Sequence, residues 1–236
     1  MSFGGSTVKK TGCAVGVGLL AVFGCIIGVV YMSCSNFFAE MMGEETYAIA
    51  GDTRQFDPFA KLAEVRSRVP KEARLVSISA VFVRSDGTMD LHATYVPSPS
   101  AEYIFHVPLA KAPENAPPVG AGRGPDDVWF QEVQVKCWKP GQMRHVSRTS
   151  GGTRTSYSYR HLGMEIERRD PQSGKPEEGL PAPRCTTQKL WELALSKGAD
   201  RSAVARIEYN KDGYEFRIDR TEVRFECDAD CRIKSD

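Results

Sequence analysis

The sequence lacks the excess of one charge that is typical of nucleic-acid binders. Lys and Arg number 31 against 30 acidic residues, which gives a formal net charge of +1 and argues against binding through bulk charge. Glycine (21 residues) and proline (14 residues) are too few for a fibrous or low-complexity protein. Aromatic residues make up 9% of the chain, which argues against a wholly disordered protein. These balances indicate a folded protein of one domain or two small ones.

Sequence motifs of catalytic sites are also absent. The chain has no GxSxG nucleophile elbow, no HExxH zinc motif and no phosphate-binding loop. Asp228 and Asp230 suggest a calcium site, although two acids without an organised loop more often form a solvated turn. We therefore expect no enzyme, no cofactor and no metal site. The alternative is an envelope enzyme whose site combines residues distant in sequence, with His145, His161 or the Asp228/Asp230 pair as candidates.

One long apolar stretch follows the N-terminus. Residues 12–32 are almost continuously apolar, and no charged residue occurs between Lys10 and Glu40. About twenty such residues at 1.5 Å each span the ~30 Å hydrocarbon core, which predicts one transmembrane helix over residues 11–34. Lys9 and Lys10 precede it and acids follow it, so residues 1–10 are predicted to form a cytoplasmic tail and the C-terminal domain to be extracytoplasmic, periplasmic in a bacterium.

A cleaved signal peptide and a lipoprotein anchor are the two alternative interpretations of this stretch. A cleaved signal peptide has a shorter apolar core of about 7–15 residues, and a lipoprotein would be processed at Cys25 or Cys34. An uncleaved single-pass anchor fits the length better. Two GxxxG spacings allow close helix packing, although glycine is also simply frequent in membrane helices. Possible self-association would use Gly12, Gly16, Gly24 and Gly28.

Four cysteines lie beyond the apolar stretch, and a disulfide is favoured over a zinc site because only Cys227 and Cys231 are close in sequence. We predict a Cys185–Cys231 bond, since both residues are expected at the same end of one structural unit. Cys137 is then left for Cys227 by elimination. A local Cys227–Cys231 bond is the competing arrangement.

The exported part has an α+β pattern, and we predict two α-β-β-β units with antiparallel sheets. In residues 57–109, a helix capped by Asp57 precedes alternating runs at 76–82, 89–95 and 103–109, the first two joined by an Asp-Gly turn. In residues 185–236, a helix capped by Thr186 or Thr187 precedes strands separated by a second Asp-Gly turn.

The remaining segments connect these units. Residues 35–56 are predicted to be a juxtamembrane linker. Residues 110–184 are a proline- and glycine-rich connector with two or more strands, near 128–138 and 155–166. The sequence does not decide whether these strands extend one sheet or join two.

Residues 133–164 form a basic stretch that contains no Asp or Glu. It predicts a positive, aromatic surface for an anionic envelope component or an acidic protein, and ordinary solvated strands are the competing interpretation. The candidate binding residues are Lys136, Trp138, Lys139, Arg144, His145, Arg148, Arg154 and Arg160.

These features together predict a membrane-anchored extracytoplasmic binding or accessory module that acts through protein or envelope contacts. A duplicated helix-plus-strands unit behind one anchor resembles small bacterial periplasmic modules that bind protein partners or inhibit enzymes. The resemblance is one of architecture, and architecture alone implies little about function.

The first testable prediction concerns topology. An alkaline phosphatase fused after Asp236 should be active, because the two lysines before the apolar stretch retain the N-terminus in the cytoplasm. An inactive phosphatase fusion, together with an active cytoplasmic reporter at the same position, would contradict the predicted orientation.

Overall fold

The computed structural model describes residues 45–114, 128–150 and 153–234, without the side chains of residues 148–150 and 153–155. The predicted tail over 1–10 and membrane helix over 11–34, with its four glycines, lie outside the described residues. Within the described ranges, no helix is long and apolar enough to cross a membrane.

Antiparallel strands form most of the described structure. The elements in chain order are β1 (Glu45–Ala48), α1 (Leu62–Arg66), β2 (Arg74–Val83), β3 (Ser100–Pro108), β4 (Val128–Trp138), β5 (Met143–Ser150), β6 (Thr153–Arg160), β7 (Gly163–Arg168), β8 (Gln172–Gly174), α2 (Thr187–Ser196), β9 (Ala205–Asn210), β10 (Gly213–Arg217) and β11 (Arg224–Cys227). Nine of these strands form one sheet in the order β1-β7-β4-β3-β2-β9-β10-β11, with β8 paired to β4. The fold is thus of the α+β type and rich in sheet.

The centre of the sheet is the antiparallel pairing of β2 with β9. Ile78 lies opposite Tyr209 and Ala80 opposite Ile207, and all four side chains are buried. Because side chains alternate along a strand, this register places one set of apolar residues from both halves of the chain on the same side of the sheet. Both helices contribute buried residues to that same cluster, including Leu62 of α1.

The local sequence explains the start of α2 but not that of α1. Asp57 Oδ1 accepts hydrogen bonds from the N–H groups of Phe59 and Ala60, at 2.9 and 3.1 Å, in the turn before α1. The predicted helix cap at Asp57 is therefore wrong, since the five-residue helix begins at Leu62 after Lys61, which makes no side-chain cap hydrogen bond. Thr186 caps α2 by accepting from Lys189 N–H at 3.1 Å, as expected for a threonine cap. Trp191 of α2 is fully buried and meets the Phe216 ring edge-on at 5.2 Å.

The strand predicted over residues 89–95 is wrong. Met89 and Leu91 are fully buried, as their alternation suggested, but their backbone N–H groups donate to Phe56 and Thr53 in the segment before α1. The Asp-Gly turn before them does form, with Gly87 at a φ of +82°. The third strand after α1 is therefore β4, which lies in the predicted connector over residues 110–184.

The predicted linker over 35–56 is also corrected in part. Residues 45–48 form the edge strand β1, paired with β7, because Tyr47 lies opposite Met164 and packs against the apolar core. The strand predicted near residues 155–166 is divided into β6 and β7 around His161. The connector strands β4 and β7 extend the sheet on the β3 side.

The β5–β6 hairpin forms its own two-stranded sheet. It belongs to a separate compact unit, residues 144–160, while the nine-stranded sheet belongs to the other. Within the hairpin, Ser147 and Ser156 hydroxyls lie 3.0 Å apart, and the Tyr157 and Tyr159 rings lie 6.2 Å apart.

Cys185 and Cys231 form the predicted disulfide, with Cα atoms 5.5 Å apart. The pairing of Cys137 with Cys227 is wrong, since both are free and buried. They lie on β4 and β11, which the strand order separates by five spacings, or roughly 24 Å at about 4.8 Å per strand. Burial raises the pKa of the Cys137 thiol to about 12.

The second testable prediction concerns this disulfide. Replacing both Cys185 and Cys231 with Ala should lower the free energy of unfolding by roughly 3–4 kcal/mol, because the bond closes a loop of 46 residues. Urea denaturation would measure the loss, and reductant should affect the parent protein but not the double variant. A proteolytic fragment in which Cys227 is bonded to Cys231 would contradict the assignment.

Candidate functional site

The face of the sheet opposite the helices is polar. On β2, β9 and β10 its side chains are half-buried, whereas their neighbours along each strand are buried against the helices. We call this surface the polar face and define it by the following residues: Ser79, Val81, Glu102, Lys136, Trp138, Arg206, Glu208, Glu215, Arg217, Arg224 and Glu226.

Three arginines form a row across neighbouring strands of the polar face. Arg217 of β10 lies directly opposite Arg206 of β9 on one side and Arg224 of β11 on the other. Like charges directly opposite each other in a sheet are destabilising. The row is therefore a feature that the fold tolerates and does not require.

A row of glutamates lies two residues away along the same strands. Glu215 lies opposite Glu208 and Glu226, and the row continues through Ser79 to Glu102 on β3. The two rows thus present stripes of opposite charge. Arg224 links them through an ion pair with Glu215 at 3.1 Å.

Arg206 differs from the other two arginines in having no partner. Arg224 pairs with Glu215 at 3.1 Å, and Arg217 Nε lies 3.7 Å from Asp219. Arg206 Nε, like Arg217 Nε, is shielded from solvent without a hydrogen-bond partner, but the half-buried Arg206 side chain also forms no ion pair with a described residue. Since buried donors are normally hydrogen-bonded, this guanidinium is the least satisfied group on the polar face.

Two cavities meet at Arg206. The first, about 430 Å³, is lined on its apolar side by Phe82, Val96 and Ile218. The second, about 350 Å³, includes Lys136 and Trp138. Both are also lined by Val81 and Pro97, so the guanidinium lies between two recesses of the size of small binding sites.

An exposed apolar loop borders the first cavity. Val96 is 96% exposed and Tyr95 is 42% exposed, and the Tyr95 ring stacks on Phe82 at 4.6 Å. Phe82 has a φ of +70° where the β2–β9 register shifts. Positive φ in a bulky residue is strained, and such strain is concentrated at functional sites.

The structure divides the predicted basic surface between the two units. Lys136 and Trp138 lie on the polar face, with the ammonium 5.7 Å from the indole centroid, and Lys139 follows β4. Lys136 is flanked by Glu102 and Glu165 on the adjacent strands. These acids lie outside the basic stretch or at its border, so the sequence pattern overstated the positive charge here.

The remaining predicted binding residues lie on the hairpin. His145 and Arg160 are exposed, and His145 is hydrogen-bonded to Ser158. Arg144 is half-buried and lies next to His145 on β5, hence on the opposite side of the hairpin. The side chains of Arg148 and Arg154 lie outside the described residues.

The predicted catalytic alternatives are not brought together within one unit. His145 belongs to the hairpin unit, while His161 is fully buried and accepts at Nδ1 from Gly163 N–H at 2.9 Å. Asp228 accepts from the N–H groups of Asp230 and Arg232; the Arg232 hydrogen bond holds the pKa of this carboxyl below its usual value. Within the described ranges, no group of His, Cys, Asp and Glu is arranged to hold a metal ion.

Sequence reasoning missed the arginine row, although a signal was present. Arginine and glutamate are two residues apart on each of β9, β10 and β11. The Asp-Gly turn sets the β9–β10 register, with Asn210 opposite Gly213, so it places Arg206 opposite Arg217. The unpaired state of Arg206 depends on β2 and could not be read locally.

No protein-family model, curated protein or solved structure matches this chain.

The third testable prediction concerns the arginine row. Arg206→Met should leave the free energy of unfolding unchanged or raise it by up to about 1 kcal/mol, because it removes a like charge and an unpaired donor while retaining an apolar stem. The matched variant Arg224→Met should lose about 0.2–1 kcal/mol with its ion pair. Urea denaturation would compare them, and a loss above about 1 kcal/mol for Arg206→Met would show that the guanidinium stabilises the fold.

Proposed function

We propose that this protein is a membrane-anchored extracytoplasmic binding module whose polar face contacts a partner protein. The observation that supports this most directly is the arginine row Arg206–Arg217–Arg224 on directly paired strands. Such a row costs stability, and residues that lower stability without a structural benefit are typical of functional surfaces.

The mixed charge of the polar face favours a protein partner over an anionic polymer. The glutamate row lies beside the arginine row, and it would repel a polymer of uniform negative charge. A protein surface that carries both signs can complement both rows, which would fix its register on the face.

The composition of the neighbouring cavities points the same way. Arginine, tryptophan and tyrosine are the residues most enriched at energetic centres of protein interfaces. Arg206 and Trp138 line the second cavity, and Tyr95 stacks at the border of the first. The exposed Val96 provides an apolar contact beside these groups.

The finer architecture forms part of this proposal. Helix α1 precedes β2, β3 and β4, and helix α2 precedes β9, β10 and β11, with β2 and β9 adjacent. We regard these as two α-β-β-β units that share one sheet behind the anchor over residues 11–34. In this arrangement, strands of both units supply the glutamate row and line the cavities.

The fourth testable prediction uses site-specific photocrosslinking in native membranes. The full chain with p-benzoylphenylalanine in place of Val96 should form a discrete adduct with one partner protein, because Val96 is 96% exposed beside the first cavity. The matched control replaces Glu192, an exposed residue of α2 on the helix side, and should form no adduct of that mass.

Two outcomes would contradict the proposed function. Equal adducts from positions 96 and 192 would show non-specific proximity in the membrane. An adduct formed from position 192 alone would place the partner on the helix side of the sheet.

A further inference from the structure

We propose that Arg206 binds a carboxylate of the partner polypeptide, and that an apolar side chain next to this carboxylate packs on Val81 and Pro97. This inference rests on the proposed function, and it names the chemistry of the partner at one point of the polar face.

The first argument is the unmet hydrogen-bonding capacity of the guanidinium. Arginine carries five N–H donors in a planar fork, and the Nε–H of Arg206 is shielded from solvent without a hydrogen-bond partner among the described residues. A half-buried charge without a partner is costly, so a group that brings acceptors to this position gains more binding energy than at an exposed arginine. A carboxylate matches the fork with two parallel hydrogen bonds.

The second argument is the position of Arg206 between apolar surfaces. Val81 lies directly opposite Arg206 on β2, and Val81 and Pro97 line both cavities. A ligand that reaches the guanidinium therefore also covers these two side chains. The site fits an acidic residue flanked by an apolar one, which a polypeptide segment supplies within two positions.

The third argument concerns the charge of the occupant. The first cavity is lined by Arg220 and Asp219 besides Arg206, and the second by Lys136 and Glu102 besides Arg206, so each recess contains one acid near two cationic groups. A phosphate with nearly two negative charges meets more repulsion from these acids than a carboxylate with one. The balance of charges selects the weaker anion.

The site also offers a cationic group beside Arg206. Lys136 lines the second cavity together with Arg206, but Glu102 and Glu165 lie opposite it on the adjacent strands. Two acids thus lie directly opposite Lys136, whereas Arg217 and Val81 lie directly opposite Arg206. Arg206 is consequently the residue whose removal should affect binding most.

The experiment measures the yield of the Val96 adduct for a series of full-length variants in native membranes. Arg206→Met should reduce the yield about tenfold or more, because losing one member of a desolvated charge pair weakens binding by at least about that factor. Arg206→Lys should restore part of the yield, since lysine keeps the charge without the bidentate fork. The matched control Arg66→Met should retain most of it, because Arg66 is an exposed residue of α1 on the helix side of the sheet.

Competing probes identify the class of anion. A blocked synthetic peptide with the sequence Val-Glu-Val at millimolar concentration should lower the adduct yield of the parent protein, and its Val-Gln-Val counterpart should not. Inhibition by inorganic phosphate alone would overturn the carboxylate assignment. Binding of the full chain to added phosphatidylglycerol vesicles that is lost in Arg206→Met would equally overturn it in favour of a lipid.

Failure of this inference and failure of the proposed function give different results. An undiminished adduct in Arg206→Met would overturn the carboxylate pairing and leave a partner on the polar face. An adduct that is absent at position 96 and present at position 192 in the parent protein would overturn both. Urea denaturation of each variant confirms that a lower yield reflects binding and not unfolding.

Discussion

The antiparallel pairing of β2 with β9 joins the two halves of the chain into one sheet, and both faces of the molecule follow from its register. Ile78 lies opposite Tyr209 and Ala80 opposite Ile207. Apolar residues of both halves therefore share one face of the sheet, and buried residues of both helices pack against them. A shift of this register by one residue would move every side chain of the shifted strand to the other face of the sheet. The same register leaves Val81 opposite Arg206 on the other face.

The two faces consequently have different physical roles. Burial of apolar surface against α1 and α2 supplies the main stabilisation, and the Cys185–Cys231 bond closes the C-terminal half of the chain. The polar face contributes little to stability, since its arginine and glutamate rows place like charges opposite each other. The stability of the fold therefore does not depend on this surface.

Local chemistry accounts for what could be predicted from sequence. The cap at Thr186, the β9–β10 turn and the Cys185–Cys231 bond each depend on residues within one helix-and-strands segment. The predictions that failed needed the strand order. Met89 and Leu91 are buried in the core, as the alternation indicated, and only the tertiary structure shows that their backbone hydrogen bonds go to the segment before α1. Likewise, only the strand order shows that Cys137 and Cys227 are five strand spacings apart and therefore cannot form a disulfide.

Hydroxyl-radical footprinting of the full chain would test most directly whether the polar face is the binding surface. The reactivity of Tyr95 and Trp138, which border the two cavities, would be compared between native membranes and protein purified in detergent, with the half-exposed Leu193 of α2 as reference. We predict that Tyr95 and Trp138 are protected in membranes while Leu193 reacts equally in both samples. Protection of Leu193 without protection of Tyr95 and Trp138 would contradict the account.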